Sequence, residues 1–280
     1  APTFGASWEE DKALPRIISI RGGQTVNAVP SEATAVVEGV KYGVLEAMAE
    51  MIEEYSGASF TLEEEDNNII KITAHGKNAH AAMPEEGVNA LTAILFSLSH
   101  LRFAKSRSDE MICALNELFP HGDYYAKYLG VDMKDEVSGA LTLNLSVMEF
   151  DLTGFTARFD CRFPVCGTKE SVADAIKAKL AAKGIEIRGT DDITMPHHTP
   201  ADSPFVQTLL KVYEDYTGCK GECLAIGGGT YVHGIEGAVA FGCEMQGKNY
   251  RIHGPDEFAS IEEIITSAKI FTQVIIDICK

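Results

Sequence analysis

The sequence predicts an α+β fold, with an antiparallel sheet made of hairpins and helices on one face, followed by an incomplete α/β piece. Three observations carry this. Residues 16–74 run strand, strand, helix, strand, strand, and residues 86–103 add a helix, so the first half reads ββαββα. Residues 141–192 repeat part of that order as ββαβ, so two related halves lie side by side. Beyond residue 195, short apolar runs alternate with helical periods, as buried parallel strands do, but only two such strands are present.

Residues 1–13 have no period and read as a linker. Residues 16–21 alternate as a strand, Gly22-Gly23 turns it, and Val26-Asn-Ala-Val-Pro30 bridges to a second strand over 33–38. Residues 42–55 carry apolar side chains at helical spacing, and Gly57 stops them. Residues 60–65 and 68–74 form a hairpin; a polar turn from His75 then leads into the helix over 86–103. Helices follow over 108–118 and, shorter, over 124–130. Strands over 141–150 and 155–163 join at Leu152-Thr-Gly154, Gly184 stops a helix over 169–183, and residues 185–192 are a strand. Met195-Pro-His-His-Thr-Pro200 breaks the pattern and divides a domain of residues 14–194 from residues 195–280. There, helices over 203–217 and 261–278 flank strands at 223–226 and 238–241, with Gly227-Gly-Gly-Thr230 after the first strand.

Bulk composition removes several function classes. The apolar fraction is 45% and the charged fraction 23%, as in globular proteins. With 24 Lys plus Arg against 41 Asp plus Glu, the net charge is −17, which argues against nucleic acid and anionic membrane as partners. Seven cysteines, an odd number lying mostly in apolar runs, read as reduced thiols of a cytoplasmic protein. No apolar run is long enough to span a bilayer, and the N-terminus shows no basic and apolar leader. The first residue is Ala1 rather than Met, as expected of a processed or cut piece.

The chemistry-bearing residues lie at turns. His80 stands between a strand and a helix mouth, where a side chain and backbone N–H groups can meet a ligand; the plain alternative is a surface turn. His253, in His253-Gly-Pro-Asp-Glu257, is placed to bind a metal through one nitrogen while a carboxylate holds the other. Gly228, Gly229 and Thr230 form a loop that can cradle an anion or simply connect two segments. Arg162 ends a strand and can grip a carboxylate, or be an ordinary surface arginine. Asn27 precedes Ala28-Val29-Pro30, where turn chemistry alone explains it. His121-Gly-Asp123 has the bare His-x-Asp pattern of metal ligands but reads as helix capping.

Together these stretches resemble one family. Gly76-Lys-Asn-Ala-His80 continuing through Pro84-Glu85, Gly87 and Asn89-Ala90 is similar to the lid signature of the zinc aminopeptidase, aminoacylase, carboxypeptidase and dipeptidase family, nearest to the peptidase V type of dipeptidase and the carnosinases. Gly22–Pro30, Gly139–Asn144, Gly227–Tyr231 with Val239–Gly242, and His253–Glu257 agree in order. The resemblance implies that residues 14–194 are a lid, or dimerisation-like, domain and that 195–280 are the C-terminal part of a zinc-exopeptidase catalytic domain. It implies that His80 donates to the oxyanion of the tetrahedral intermediate. By the same likeness Asn27 and Arg162 hold the substrate's C-terminal carboxylate, Gly228, Gly229 and Thr230 flank it, and His253 ligates one of two zinc ions.

The family's other ligands and its general-base glutamate belong to an N-terminal half of the catalytic domain that this sequence does not contain, and Val232-His233 stands where relatives often carry Ala-Arg. The expectation is therefore a zinc dipeptidase acting on dipeptides in its complete form, with this chain alone inactive. The rival expectations are a non-catalytic binding or assembly module, seeking the missing half or a second copy, and an aminoacylase or carboxypeptidase of the same family.

Overall fold

A computed structural model of the chain describes residues 2–65, 68–189, 193–242, 245, 247–248, 250–251 and 256–280. It divides into two compact units, Ala1–Met195 and Pro196–Lys280.

The first unit is built on one antiparallel sheet. Its strands are β1 (Thr3–Ser7), β2 (Arg16–Gly22), β3 (Glu32–Glu38), β4 (Ser59–Glu65), β5 (Ile69–His75), then, beyond a two-stranded β6 (Lys134–Asp135) and β7 (Gly139–Ala140), β8 (Thr142–Asp151), β9 (Gly154–Arg162) and β10 (Glu186–Arg188). The eight long-sheet strands run in the order β10-β1-β9-β8-β2-β3-β5-β4. The two halves expected from the repeat are thus halves of a single sheet, joined where β2 pairs with β8 at Ile20↔Phe150 and Gly22↔Met148. Alternation forms the strands: in β3 it buries Ala33, Ala35 and Val37, and in β9 Phe155, Ala157 and Phe159. Gly23 permits the junction. Its φ is +75°, and a Cβ there would stand 1.7 Å from the Ser146 carbonyl oxygen.

Four helices accompany the sheet: α1 (Tyr42–Ser56), α2 (Ala90–Ser99), α3 (Arg107–Leu118) and α4 (Ala175–Ala181), the last entered through a π-helical turn at Glu170–Asp174. α1 ends at Gly57, as expected, with φ 69°. α2 is almost wholly buried, and α2 and α3 pack against strands β2, β3, β5 and β8.

The structure corrects three expectations in this unit. The expected linker over 1–13 contains β1, because Phe4 is fully buried and its ring stacks 5.3 Å from Phe119. The helix expected over 86–103 is a 3-10 turn (Pro84–Glu86) followed by the shorter α2, which Asn89 caps through the Thr92 amide. Residues 124–130 form no helix: the Asp123 carboxylate takes the amides of Tyr125, Lys127 and Tyr128, and Ala126 sits at φ 57°.

The second unit pairs α5 (Pro204–Thr217) with α6 (Ile261–Ile278) around Leu209, Val212, Ile270 and Val274. The strands expected at 223–226 and 238–241 are absent among its described residues. An apolar run becomes a strand only when a neighbour takes its backbone groups; here Val239 and Phe241 pack on the helix pair, while Leu224 and Ile226 are 77% and 65% exposed.

Candidate functional site

The loop from Gly76 to Asn89 is braced throughout. Its base is a two-way bond between Lys77 and Val88, the amides donating over 3.0 and 2.9 Å. That closure fits only glycine at 76, where a Cβ would meet the Val88 oxygen at 2.1 Å. Farther along, Ala28 and His80 face each other across an antiparallel bridge. The Val29 amide donates to the Ala79 oxygen at 2.8 Å, and the Ala81 amide to the Asn27 oxygen at 2.9 Å. Asn27 and His80 are thereby neighbours on one exposed rim.

The His80 ring has a defined tautomer. The Ala82 amide donates to Nδ1 over 3.2 Å, so Nδ1 carries no proton and the neutral ring holds its proton on Nε2, as a donor.

Beneath this rim lies a buried polar network. Asn89 Nδ2 donates to Asn144 Oδ1 at 2.9 Å and to the Leu145 oxygen at 2.8 Å. Asn144 Nδ2 donates to the Ala28 oxygen at 3.0 Å and to Ser146 Oγ at 2.9 Å, and Ser146 Oγ donates to the Val26 oxygen at 2.6 Å. Asn89, Asn144 and Ser146 were not singled out in the sequence as site residues. The signal was there in β8, where Asn144 and Ser146 fall in a run of buried positions that ought to be apolar.

Arg162 ends β9 and is half-buried, with Nε on Asp160 Oδ1 at 2.8 Å and a terminal nitrogen on Asp160 Oδ2 at 3.1 Å. Asp160 and Arg162 share a strand face, opposite Asn144 and Thr142 of β8 respectively. The loop after Arg162 is latched: Asp135 accepts the amides of Ser138, Cys166 and Val137, which pull its carboxyl down to about 2. Burial, with Asp160 adding to it, pushes the neighbouring Cys161 thiol up to about 12, which leaves it inert. The six described cysteines are all free thiols.

The remaining expected residues are Gly228, Gly229, Thr230 and His253. Gly228, Gly229 and Thr230 belong to the second unit, in a partly exposed turn that the Thr230 amide closes by donating to His233 Nδ1 at 3.1 Å. Open space surrounds the Cβ positions of Gly228 and Gly229, so local packing does not demand glycine. His253 lies outside the described residues. Among the described residues no three His, Cys, Asp or Glu side chains are grouped to hold a metal ion. His121 is no metal ligand in this arrangement: its half-buried ring bonds Thr92 Oγ1 and the Ser56 oxygen. No described helix is long and apolar enough to cross a membrane.

Comparison with known proteins follows the same line. Residues 69–188 match the peptidase dimerisation domain of the M20 peptidases. The chain is 31% identical over 275 residues to YtjP of Bacillus subtilis, a candidate dipeptidase, covering 97% of this chain and 57% of that protein. It is 29% identical over 263 residues to the Beta-Ala-Xaa dipeptidase of Lactobacillus delbrueckii subsp. lactis, covering 93% of this chain and 54% of that one. The solved aminoacylhistidine dipeptidase of Vibrio alginolyticus superposes with a TM-score of 0.36 at 13% identity, over 82% of this chain and 50% of that chain, too loosely to argue from. The chain thus spans little more than half the length of the curated relatives it matches.

Proposed function

We propose that this chain is part of an M20-family peptidase and that the complete protein is a zinc-dependent cytoplasmic dipeptidase that hydrolyses short peptides with a free C-terminal carboxylate. Residues 14–194 are its lid and residues 195–280 the C-terminal part of its catalytic domain. When bound, two zinc ions in the complete protein would supply Lewis-acid chemistry for activating water. The described residues do not assemble a metal site, so His253 is this chain's one proposed ligand, and the other ligands belong to sequence outside this chain.

The observation that carries the reading is the hydrogen bond from the Ala82 amide to His80 Nδ1. It supports an Nε2–H donor aimed from the rim that also bears Asn27. In the proposed mechanism His80 Nε2–H meets the oxyanion as the peptide carbonyl becomes tetrahedral, a contact stronger in the transition state than in the ground state. Asn27 and Arg162 bind the substrate carboxylate, with Gly228, Gly229 and Thr230 beside it. That clamp selects a free C-terminus next to the scissile bond.

In the complete protein, His80→Ala is expected to lower kcat by about a hundredfold with KM little changed. Unchanged kcat removes His80 from the mechanism. Arg162→Ala should instead raise KM for dipeptides and leave dipeptide amides nearly unaffected.

One observation favours a second reading, that the chain also serves as an assembly module. In the second unit Ile261, Ile264, Ile275 and Leu224 are more than half exposed, an apolar surface that suits a partner such as the rest of the polypeptide or a second copy. A monomer by light scattering that binds no apolar dye would remove that reading.

A further inference from the structure

The rim that carries Asn27 and His80 has no strand of its own to hold it, yet every carbonyl from Val26 to Val29 is bonded. Ser146 Oγ takes that of Val26 at 2.6 Å, the Ala81 amide that of Asn27 at 2.9 Å, Asn144 Nδ2 that of Ala28 at 3.0 Å, and Asn78 Nδ2 that of Val29 at 3.2 Å. Two of the four holds come from β8, from side chains that are 3% and 0% exposed. The same β8 residue, Asn144, stands opposite Asp160, whose carboxylate grips Arg162. One β8 residue therefore holds the His80 and Asn27 rim through its buried carboxamide and pairs through its backbone with the strand that bears Arg162.

We propose that Asn144 is a positioning residue that fixes the separation between His80 and Arg162, and so sets the length of peptide the site accepts. This rests on the roles proposed above for those two residues. Asn144 suits the task because all of its hydrogen-bonding groups are engaged: both Nδ2 protons go to Ala28 and Ser146, and Oδ1 accepts from Asn89. Asn89 in turn places its remaining amide proton on Leu145 and its oxygen on the first turn of α2. A satisfied buried network of this kind has one arrangement and resists drift. The distance between an oxyanion donor and a carboxylate clamp then becomes a fixed ruler. A dipeptide places its carbonyl and its terminal carboxylate one residue apart; a substrate with one more residue beyond the scissile bond places them farther apart.

Asn144→Asp keeps the shape but replaces the donors to Ala28 and Ser146 by acceptors, and Ser146→Ala is the milder second variant. Hydrogen exchange on this chain reads the hold directly. In both variants the amides of Val29 and Ala81 should exchange about tenfold faster or more, while those of Val37 and Ile72 in the β3–β5 ladder keep their wild-type protection. Peptidase assays on the complete protein read the ruler. The ratio of kcat/KM for a dipeptide over a tripeptide extended beyond the scissile bond should fall by about tenfold, because the dipeptide loses its fit and the tripeptide had none to lose. Unchanged exchange at Val29 and Ala81 in both variants, or faster exchange at all amides alike, overturns the hold. Faster local exchange with an unchanged ratio overturns the ruler. A complete wild-type protein that cleaves no dipeptide overturns the dipeptidase reading and the ruler with it, while the exchange result still decides whether Asn144 holds the rim.

Discussion

His121 shows what a residue's neighbours do to a suggestive pattern. Its Nε2–H donates to the Ser56 oxygen at 3.0 Å, so in the neutral ring Nδ1 accepts from the Thr92 hydroxyl at 2.8 Å. The residue clamps the end of α1 to the first turn of α2. Burial lowers its pKa below the ordinary 6.5, the Ser56 carbonyl opposing this only in part. The folded state therefore binds fewer protons than the unfolded state at mildly acid pH. The clamp's full contribution to stability is present above 6.5 and is lost as pH falls through the lower, folded value. Thermal midpoints measured between pH 8 and 5 should fall more steeply for the wild type than for His121→Gln, which keeps a donor and an acceptor but cannot titrate. Parallel curves would assign the acid sensitivity elsewhere. At this scale the sequence showed which side chains are chemically able, such as His80, Asn27 and Arg162. It did not show their hydrogen-bond partners, because Asp160, Ala81 and Ala82 reach them through register and loop closure.

Among the elements, α2 and α3 allow a controlled comparison, since each begins at a polar cap. Ser106 accepts the Asp109 amide at 3.3 Å and bonds the Ser108 hydroxyl, so Ser106→Ala should cost about 1 kcal/mol. Asn89 caps the Thr92 amide at 3.1 Å and also supplies both of its own N–H groups to β8. Asn89→Ala removes the cap and leaves buried Asn144 Oδ1 and Leu145 oxygen without that donor, so the loss should be about 2–4 kcal/mol. Urea unfolding of the two variants checks the difference; equal losses would mean that the links to β8 add nothing to the cap. Elements whose formation is decided within their own residues were legible in the sequence: α1 with its Gly57 stop, the helical period of α3, and the alternating β3 and β5. Elements decided by a distant partner were not. β1 depends on the burial of Phe4 among aromatic rings from 119, 155 and 159. Residues 124–130 are unwound by a carboxylate at their start, and the runs at 223–226 and 238–241 have the composition of strands but no ladder neighbour.

On the scale of the whole molecule the two units differ in how much apolar surface each buries by itself. The first unit has an extensive core running from Phe4 to Ile185 through a sheet of eight strands. Among its described residues the second has one small cluster of four buried apolar side chains between α5 and α6, while Ile261, Ile264, Ile275, Leu224 and Ile226 are exposed. Fixing a residue's backbone opposes folding by about 1–2 kcal/mol, and only buried apolar area on a comparable scale offsets it. The core of the first unit is on that scale; a single helix pair with much of its apolar surface exposed is not. Residues 1–195 expressed alone should therefore unfold in one cooperative thermal transition and bind little anilinonaphthalene sulfonate. Residues 196–280 alone should bind the dye and melt without a cooperative transition. Cooperative melting of 196–280 without dye binding would show that its exposed isoleucines need no cover, and would remove the reason to seek the rest of a catalytic domain against them. Dye binding that disappears when the remaining polypeptide is supplied would identify that polypeptide as the cover, and the proposed zinc site could then be sought where the two meet.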